Sequence, residues 1–390
     1  MNILIIGGGA AGMMAALTAS EQAEHHVILV ERQSRMGRKL LATGNGRCNL
    51  TNRNLELSHY HGEQPAFCRP AMEAFGVEDT LAYFRSLGLL TVTEPSGRVY
   101  PYSDSANSVA DVLRLPLEQR ENVEILTGKE ILSLQRKKGK FIADGIEADK
   151  VIVCCGGIAG SKLGGTELGY KLLAGLGHSR TKLYPSLVQL RTDTRWVRSL
   201  KGVRAEAQVR LNGESYRGEV QFTDYGISGP VIFELSRGLN EGTLLLDFLP
   251  DVSAQELKTL LQARCRAMPA LKGEDLLTGM LHNRLGRTLL RACDLSLETP
   301  CGELGDLDKL VKTVKHFVLP VTGNMGMEQA QVTAGGIRTN EFSAHTLESR
   351  LCSGLYAAGE VLDIDGDCGG YNLQWAWSSG RLAGMLKGSL

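Results

Sequence analysis

The fold of this chain is decided near its start, by the segment Asn2-Ile3-Leu4-Ile5-Ile6-Gly7-Gly8-Gly9-Ala10-Ala11-Gly12. Its first half contains a short apolar run of the kind that a buried parallel strand needs. Glycines then follow at the spacing G-x-G-x-x-G, and an alanine-rich stretch up to residue 23 predicts a helix. A second apolar run, residues 27–30, ends at Glu31. The order strand, glycine turn, helix, strand predicts the first unit of a doubly wound α/β sheet.

The same order of elements predicts a dinucleotide site, because each glycine has a physical task there. Gly7 permits the tight turn, Gly9 lets the backbone approach a pyrophosphate, and Gly12 lets the helix pack on the sheet. The helix N-terminus presents N–H groups and a partial positive charge to phosphates. A carboxylate at Glu31 can accept hydrogen bonds from both hydroxyls of an adenosine ribose. The motif alone leaves FAD and NAD both open. The predicted contacts at this end are Gly7, Gly9, Ala10, Ala11, Gly12 and Glu31.

Composition narrows the class of protein. With 390 residues the chain exceeds one simple core, so we expect two or three domains. Its 43 basic and 43 acidic residues leave a formal net charge of zero, which argues against a nucleic-acid partner. We expect no leader peptide, because the predicted first strand starts at residue 2. We expect no membrane partner, because no apolar run reaches the ~18 residues of a membrane span. The nine cysteines are scattered, which disfavours paired disulfides and favours the cytoplasm. They form no C-x-x-C pair, which disfavours a dithiol mechanism.

The segment after the second strand, residues 32–52, is dense in Gly, Asn, Thr and Arg. One interpretation is a solvated loop. We favour a loop that lies along the cofactor, with cations facing its oxygens and glycines allowing close approach. Cys48 is either a redox thiol or, more simply, a packed and inert one. The residues predicted to contact the cofactor here are Arg32, Arg38, Lys39, Thr43, Asn45, Gly46, Arg47, Cys48 and Asn49.

Two further strand ends carry glycines. Residues 150–157 form a second apolar run that ends in Cys155, Gly156 and Gly157, and we expect it to close over the same dinucleotide, although a plain turn is the alternative. Residues 354–363 form another strand that ends in glycine, and a final helix begins near residue 375. The remaining predicted cofactor contacts are Glu130, Ile131, Gly359, Glu360, Asp363, Gly370, Tyr371, Asn372 and Leu373.

Between these segments the pattern changes to antiparallel strands and helices. Alternation around the Asn-Gly turn at residues 212–213 predicts a hairpin, and helices are predicted over 274–292 and 306–317. We therefore predict a discontinuous nucleotide-binding domain over 1–187 and 323–390, an inserted β-barrel-like substrate domain over 188–250, and a helical domain over 251–322.

Nucleotide-binding features at both ends of the chain favour FAD over NAD, because FAD is long and extended. The N-terminal turn would hold the adenosine half. Glu360 and Asp363 would meet the ribityl and pyrophosphate, and the last helix would direct its N-terminus at the flavin ring.

Four segments, residues 37–52, 222–230, 332–336 and 358–374, carry a further signal. On these segments the sequence resembles the BaiN-like and YhiN-like flavoproteins, which include proteins described as aminoacetone oxidases and bile-acid reductases. The resemblance implies non-covalent FAD, a discontinuous Rossmann-like (glutathione-reductase-type) FAD domain, an inserted barrel-like domain and a small helical domain. One departure is Cys154-Cys155-Gly156, where relatives often have Ala-Thr-Gly.

The function predicted is an FAD-dependent oxidoreductase that exchanges a hydride with a small organic substrate, such as a conjugated enone of a dehydro bile acid. NAD(P)H is the expected transient reductant, and it would have to visit the substrate site because no second G-x-G-x-x-G is present. Two alternatives stay open, an O₂-using amine oxidase and a flavin-binding RNA-modifying or regulatory protein. No residue can be named as the catalytic acid or base.

Overall fold

The computed structural model describes residues 1–239, 241–305 and 307–388. The chain forms two compact units, one from Met1–Pro185 with Ala330–Leu390 and the other from Ser186–Gln329. The first unit is thus built from both ends of the chain. A further division of the second unit at residue 250 stays a prediction.

Thirteen α-helices are found in the described ranges, numbered here in chain order. They are α1 Ala10–Ala19, α2 Arg38–Ala42, α3 Arg69–Ala74, α4 Val77–Ser86, α5 Ala106–Gln119, α6 Leu168–Ala174, α7 Thr194–Val197, α8 Pro230–Leu235, α9 Ala254–Ala267, α10 Asn283–Ala292, α11 Leu307–Lys315, α12 Gly326–Gln329 and α13 Tyr371–Gly384.

The same ranges contain twenty-one strands. They are β1 Asn2–Ile6, β2 His26–Glu31, β3 Thr51–Asn52, β4 Tyr60–His61, β5 Thr91–Thr93, β6 Arg98–Pro101, β7 Val123–Thr127, β8 Gln135–Lys137, β9 Lys140–Ala143, β10 Ile146–Ala148, β11 Lys150–Val153, β12 Tyr184–Ser186, β13 Leu190–Thr192, β14 Arg204–Leu211, β15 Glu214–Phe222, β16 Gly226–Ser228, β17 Gly242–Asp247, β18 Phe317–Asn324, β19 Val332–Ala334, β20 Leu355–Ala357 and β21 Asp365–Gly366.

The first unit is organised around a parallel five-stranded sheet in the order β20-β11-β1-β2-β7. Ile3 of β1 lies beside Val27 on one side and Lys150 on the other, so β1 is the central strand. Because both faces are covered, Ile3 to Ile6 are buried without the alternation of a half-exposed strand. The carboxyl ends of all five strands meet at one edge, where ligands bind in doubly wound sheets.

The two ends of the chain are joined by close packing of α13 on α1. A β-carbon at Gly380 would overlap the Ala11 carbonyl oxygen, and one at Gly384 would lie 2.6 Å from the Ala15 carbonyl oxygen. Only glycine permits this approach of two helix backbones. The last helix is therefore held against the helix that follows the nucleotide motif.

The second unit contains a closed antiparallel barrel in the order β13-β16-β15-β14-β17-β18. The predicted hairpin is β14–β15, with Asn212 and Gly213 at its turn. The helix predicted over 306–317 ends earlier, at Lys315, and β18 then closes the barrel by pairing with β17 and β13. The barrel thus needs a strand from beyond residue 250, because one side of β17 would otherwise be an open edge.

The helix prediction over 274–292 was also too long. The predicted helix over 274–292 is a single 3₁₀ turn at Gly273–Asp275 followed, after a gap, by α10. Gly279 lies in that gap with φ +86°, a conformation that ends a helix. The predicted α/β class, with a Rossmann-like sheet and a barrel, is confirmed. No helix in the described ranges has the length and apolar character needed to cross a membrane.

A buried polar cluster ties the end of α6 to the segment before β20. The His178 side chain has no exposed surface, and its ring stacks on Phe342 at 4.5 Å between centroids. Its Nδ1 lies 2.8 Å from Glu341 Oε2 and its Nε2 lies 2.9 Å from Ser349 Oγ. Ser349 Oγ also accepts the N–H groups of Leu351 and Cys352, so its hydroxyl hydrogen is left to donate to a neutral His178.

This cluster predicts a loss of stability in acid. Burial lowers the pKa of His178, although the Glu341 carboxylate opposes the shift. The unfolded chain therefore takes up the proton first, and the free energy of unfolding falls as the pH drops below about 6.5, by at most ~1.4 kcal/mol per pH unit. We expect His178→Gln to reduce this slope and the exposed-site control His26→Gln to keep it, in urea unfolding from pH 7.5 downward. Equal slopes in all three proteins would contradict the prediction.

Candidate functional site

The glycine turn after β1 has the geometry that a pyrophosphate site requires. Gly7 has φ +110°, and a β-carbon there would overlap the Cys154 carbonyl oxygen. A β-carbon at Gly12 would overlap the Gly7 carbonyl oxygen, so the helix rests directly on the turn. Gly9 is different, since no heavy atom lies within 4 Å of the place where its β-carbon would be. The space over Gly9, at the N-terminus of α1, is open.

Glu31 lies at the end of β2 beside this turn. Its Oε2 accepts the N–H of Gly8 at 2.8 Å, and its Oε1 accepts the N–H of Gln33 at 2.7 Å. These two bonds orient the carboxylate and leave lone pairs on both oxygens for further donors. A ribose diol is a donor pair of the right kind.

Replacing Glu31 tests this assignment. We expect Glu31→Ala to raise the dissociation constant for FAD ~10- to 100-fold, because it removes charge-assisted bonds worth ~1.5–3 kcal/mol. The chain should still fold, since the lost internal bonds are at a half-buried loop. Isothermal titration of the apoprotein measures the change, with Glu124→Ala on the neighbouring strand β7 as the matched control. An unchanged FAD affinity would show that Glu31 does not hold the ribose.

The loop over 43–49 has an unusual backbone. Gly44, Asn45, Gly46 and Cys48 all have positive φ, between 58° and 87°, which for the two non-glycine residues carries strain that clusters at functional sites. Asn49 is buried, with 9% of its surface exposed, and its Oδ1 has no hydrogen-bond partner among the described residues. A buried unpaired amide oxygen costs ~1–3 kcal/mol, so a ligand donor at this point would relieve it. Thr43 Oγ1 donates to the Leu40 carbonyl at 2.6 Å and anchors the start of the loop.

The predicted cationic contacts all have partners within the protein. Lys39 Nζ pairs with Glu360 Oε2 at 2.6 Å, and Arg32 Nη1 lies 3.7 Å from Glu130 Oε1. Arg38 Nη1 donates to Gln33 Oε1 at 3.1 Å. Arg47 pairs with Asp104 and Glu94 and lies over the Tyr100 ring. Their contact with cofactor oxygens stays a prediction, as does that of the buried Ile131.

The two cysteines at the site are poor nucleophiles. Burial raises the pKa of Cys48 to about 12, although a hydrogen bond with Thr43 lowers it by a smaller amount. Burial also raises the pKa of Cys155 to about 12. A thiol with such a pKa carries almost no thiolate at neutral pH. This favours the inert interpretation of Cys48.

The carboxyl end of β11 is joined to the C-terminal segment by Glu360. Gly156 has φ +69° with open space where a β-carbon would point, whereas a β-carbon at Gly157 would overlap Thr333 Oγ1 and lie 2.6 Å from Glu360 Oε1. The same Oε1 accepts the Thr333 N–H at 2.9 Å, while the other oxygen holds Lys39. Thr333, which sequence reasoning did not single out, therefore lies with the predicted residues.

The C-terminal glycines lie against the N-terminal motif. A β-carbon at Gly359 (φ +77°) would lie 3.0 Å from the Ala11 β-carbon. The Gly359 N–H donates to Ser379 Oγ at 2.9 Å, and its carbonyl accepts Trp375 Nε1 at 3.1 Å. Asp363 is 2% exposed, and its Oδ2 accepts the Glu63 N–H at 3.0 Å.

The first turn of α13 is held by contacts with three backbone segments. A β-carbon at Gly370 (φ +104°) would lie 2.6 Å from the Thr51 carbonyl. The Tyr371 hydroxyl donates to the Asn54 carbonyl at 3.4 Å, which is a structural role. The Asn372 amide exchanges two hydrogen bonds with the backbone of Gly366, at 2.6 and 2.8 Å. Leu373 is partly exposed, and the N–H groups of this first turn are the ones that an α-helix leaves for external acceptors.

A buried amide supports that turn. Gln374 has no exposed surface. Its Oε1 accepts the Thr51 hydroxyl at 2.6 Å, and its Nε2 lies 2.9 Å from both Thr80 Oγ1 and Ser378 Oγ. The network couples β3, α4 and α13, so it fixes the position of the α13 N-terminus.

Two histidines that the sequence reasoning missed lie beside the same turn. Asp367 Oδ2 lies 2.9 Å from His59 Nδ1, and its Oδ1 lies 2.6 Å from His61 Nε2. The His59 ring stacks on Tyr371 with 4.2 Å between centroids. The signal available in the sequence was the pair of histidines on either side of Tyr60. His59 ends a 3₁₀ turn and His61 lies in β4, so strand alternation alone would not have predicted that both imidazoles reach Asp367.

The donor set fits FAD. It comprises a helix N-terminus under open space at Gly9, an oriented carboxylate at Glu31, an orphaned amide oxygen at Asn49, and a second helix N-terminus at α13. Two separate helix N-termini, each of which favours a negatively charged group, suit an extended dinucleotide. Within the described ranges, no group of three or more His, Cys, Asp or Glu side chains is arranged to hold a metal ion.

Comparisons with known proteins identify the family of this chain. The family model described as "HI0933-like protein Rossmann domain" matches residues 1–386. A 3-dehydro-bile acid delta(4,6)-reductase from Clostridium scindens is 41% identical over 98% of this chain and 97% of its own length. A ribosomal RNA dihydrouridine synthase from Escherichia coli is 32% identical over 92% of this chain and 91% of its own.

Solved structures support the fold alone. A quinol fumarate reductase from Escherichia coli superimposes with a TM-score of 0.50 at 16% identity, covering 98% of this chain and 69% of that one. The family match and the two relatives together establish the class of protein. The chain belongs to the HI0933-like Rossmann family and is an FAD-dependent oxidoreductase.

Proposed function

We propose that this protein uses a nicotinamide dinucleotide to reduce a C=C bond conjugated with a carbonyl group in a small, largely apolar substrate of the steroid type. The Clostridium scindens relative is named for a 3-oxo compound whose 4- and 6-double bonds are conjugated with that carbonyl. A dihydrouridine synthase saturates the uracil C=C bond, which is also conjugated with a carbonyl. The reaction class is therefore common to both names, and the substrate class follows the more similar relative.

The observation that supports the proposal best is the joint placement of the Gly7–Gly12 turn and Glu31 at the carboxyl ends of β1 and β2, with Gly359 packed against Ala11 at the start of α1. Glu31 and the Gly7–Gly12 turn would hold the adenosine half of FAD. The backbone of Gly370 to Leu373 would meet the ring edge, where a helix N-terminus stabilises negative charge. FAD, when bound, supplies the hydride chemistry, and the chain positions it and excludes competing reactions.

The test separates the two half-reactions under anaerobic conditions. We expect NADPH or NADH to bleach the flavin of the FAD-loaded full chain, and a 3-oxo-4,6-diene steroid to restore its colour with loss of the dienone absorbance. Aminoacetone should not bleach the flavin. If aminoacetone bleaches it and O₂ alone restores it, the amine-oxidase alternative replaces the proposal.

A second candidate substrate is a uridine in ribosomal RNA, which two relatives' names favour at 32% and 28% identity. In this chain Arg195 lies over the Trp196 ring at 4.5 Å, beside the exposed Arg191 and Arg198. Such an aromatic–arginine group suits a single-stranded nucleic acid. The expectation of no nucleic-acid partner thus stays a prediction. Mass analysis of ribosomal RNA incubated with the reduced protein decides, since reduction adds two hydrogens to a uridine.

A further inference from the structure

The His59–Asp367–His61 cluster has the arrangement of an oriented acid–base group. Each imidazole uses one nitrogen on the shared carboxylate. In the part of the chain that the structure describes, no protein partner is found for His59 Nε2 or His61 Nδ1. The two side chains are 31% and 33% exposed, so both can reach solvent or a ligand. A carboxylate that fixes one ring nitrogen and leaves the other free is the arrangement that proton-transferring histidines use.

The proposed reaction needs such a group. Saturation of a conjugated C=C bond adds a hydride to one carbon and a proton to its neighbour. The hydride is the cofactor's contribution, and the electrons come originally from the nicotinamide dinucleotide. The proton has to come from a separate acid near the α13 N-terminus, where the Tyr371 hydroxyl and the Asn372 amide already make structural hydrogen bonds.

We propose that His59, oriented by Asp367, donates this proton to the substrate, an assignment that rests on the proposed function. In the step, the His59 Nε2–H bond breaks, a C–H bond forms at the carbon next to the carbonyl, and the C=C π bond is lost. The neutral imidazole then regains a proton from solvent through its exposed edge. His61 is a positioning residue that holds the second oxygen of Asp367.

His59 is chosen over His61 because of its place in the fold. Its ring lies on Tyr371, the first residue of α13, whereas His61 is paired through its backbone with Asp365 in β21. Burial alone would raise the pKa of the Asp367 carboxyl, but the hydrogen bonds from His61 and His59 hold that pKa below its usual range. Asp367 therefore stays ionised as an acceptor for both rings. Other ionisable side chains on the segments packed around the cluster are Tyr60, Glu63, Asp363, Asp365, Cys368 and Tyr371.

The test compares His59→Gln, His61→Gln and Asp367→Asn with the exposed control His26→Gln, all loaded with FAD. We expect His59→Gln to keep its FAD content and its rate of flavin bleaching by NADPH, and to slow reoxidation by the dienone ~100-fold. Wild-type reoxidation should slow as the pH rises past the imidazole range, and His59→Gln should lose this dependence. We expect about a tenfold slowing in His61→Gln.

A readout without turnover accompanies the kinetics. In NMR spectra of histidine-labelled protein, Asp367→Asn should shift the titration of both His59 and His61 and leave His26 unchanged. Reoxidation at the wild-type rate in His59→Gln would overturn the inference and leave the proposed function standing. Wild-type protein that reduces no conjugated carbonyl compound would overturn both. If the titrations of His59 and His61 are the same in Asp367→Asn as in the wild type, Asp367 does not orient the two rings.

Discussion

Gly9→Ala is expected to abolish tight FAD binding while leaving the apoprotein as stable as the wild type. Gly9 has φ −79° and ψ −165°, which alanine adopts without strain. Its added methyl group would meet no protein atom within 4 Å. The methyl would instead fill the open space where a pyrophosphate approaches the α1 N-terminus. We expect the dissociation constant for FAD to rise ~100-fold, or ~2.7 kcal/mol.

The measurements are titration of the apoprotein with FAD and its urea unfolding. Gly175→Ala is the matched control, because Gly175 has φ −61° at the end of α6 and an ordinary 3.4 Å clearance to the Leu172 carbonyl. It should change neither quantity. Wild-type FAD affinity in Gly9→Ala would mean that the pyrophosphate does not pass over this residue, whatever the motif suggests.

Gln374→Leu is expected to destabilise the first unit by ~3 kcal/mol, because it strands buried hydrogen-bonding groups. The Thr51 hydroxyl would lose its acceptor and the Thr80 hydroxyl its donor, and both residues are fully buried. The side chains are similar in volume, so the loss is electrostatic and not a cavity effect. FAD affinity should fall with it, because the network fixes the N-terminus of α13.

Urea unfolding followed by tryptophan fluorescence measures the first effect, since Trp375 and Trp377 are buried in the same helix. Gln119→Leu, at the exposed end of α5, is the control and should change the free energy of unfolding by under ~0.5 kcal/mol. A Gln374→Leu protein as stable as the wild type would show that the network carries no net stability.

The His59 assignment depends on the proposed function, and the FAD-dependent class depends on neither of them. Loss of the dienone reaction in the wild type would remove both, whereas the FAD-dependent class rests on the family match over residues 1–386. The RNA candidate differs from the steroid candidate in substrate and not in bond chemistry, so the predictions at Glu31, Gly9 and Gln374 hold for either.

The local units of this protein could be predicted from its residues. Residues 2–31 contain the strand, glycine turn, helix and acidic strand end, and the structure has all four in the predicted order, with the helix ending at Ala19 and not at residue 23. Such a unit can be predicted because its sequence signals, namely apolar runs, glycines at a fixed spacing and a terminal acid, are close together in the chain. Gly359 and Gly370 could be selected as candidate cofactor contacts for the same reason. Helix lengths failed at 274–292, where Gly279 interrupts a pattern that periodicity alone continues.

The pairs of groups that lie far apart in the chain became known only from the folded structure. Lys39 is paired with Glu360, Thr51 with Gln374, and His59 with Asp367, each across about three hundred residues. Nothing in the local pattern around either member names its partner, because pairing depends on the order of strands in the sheet and on the close packing of α13 on α1. The pairing of β18 with β13 and β17, which closes the barrel, is likewise not indicated by the local sequence pattern. The physical reason is that side-chain pairs form wherever the backbone brings them within a few ångströms, and backbone proximity across long loops is a property of the whole fold.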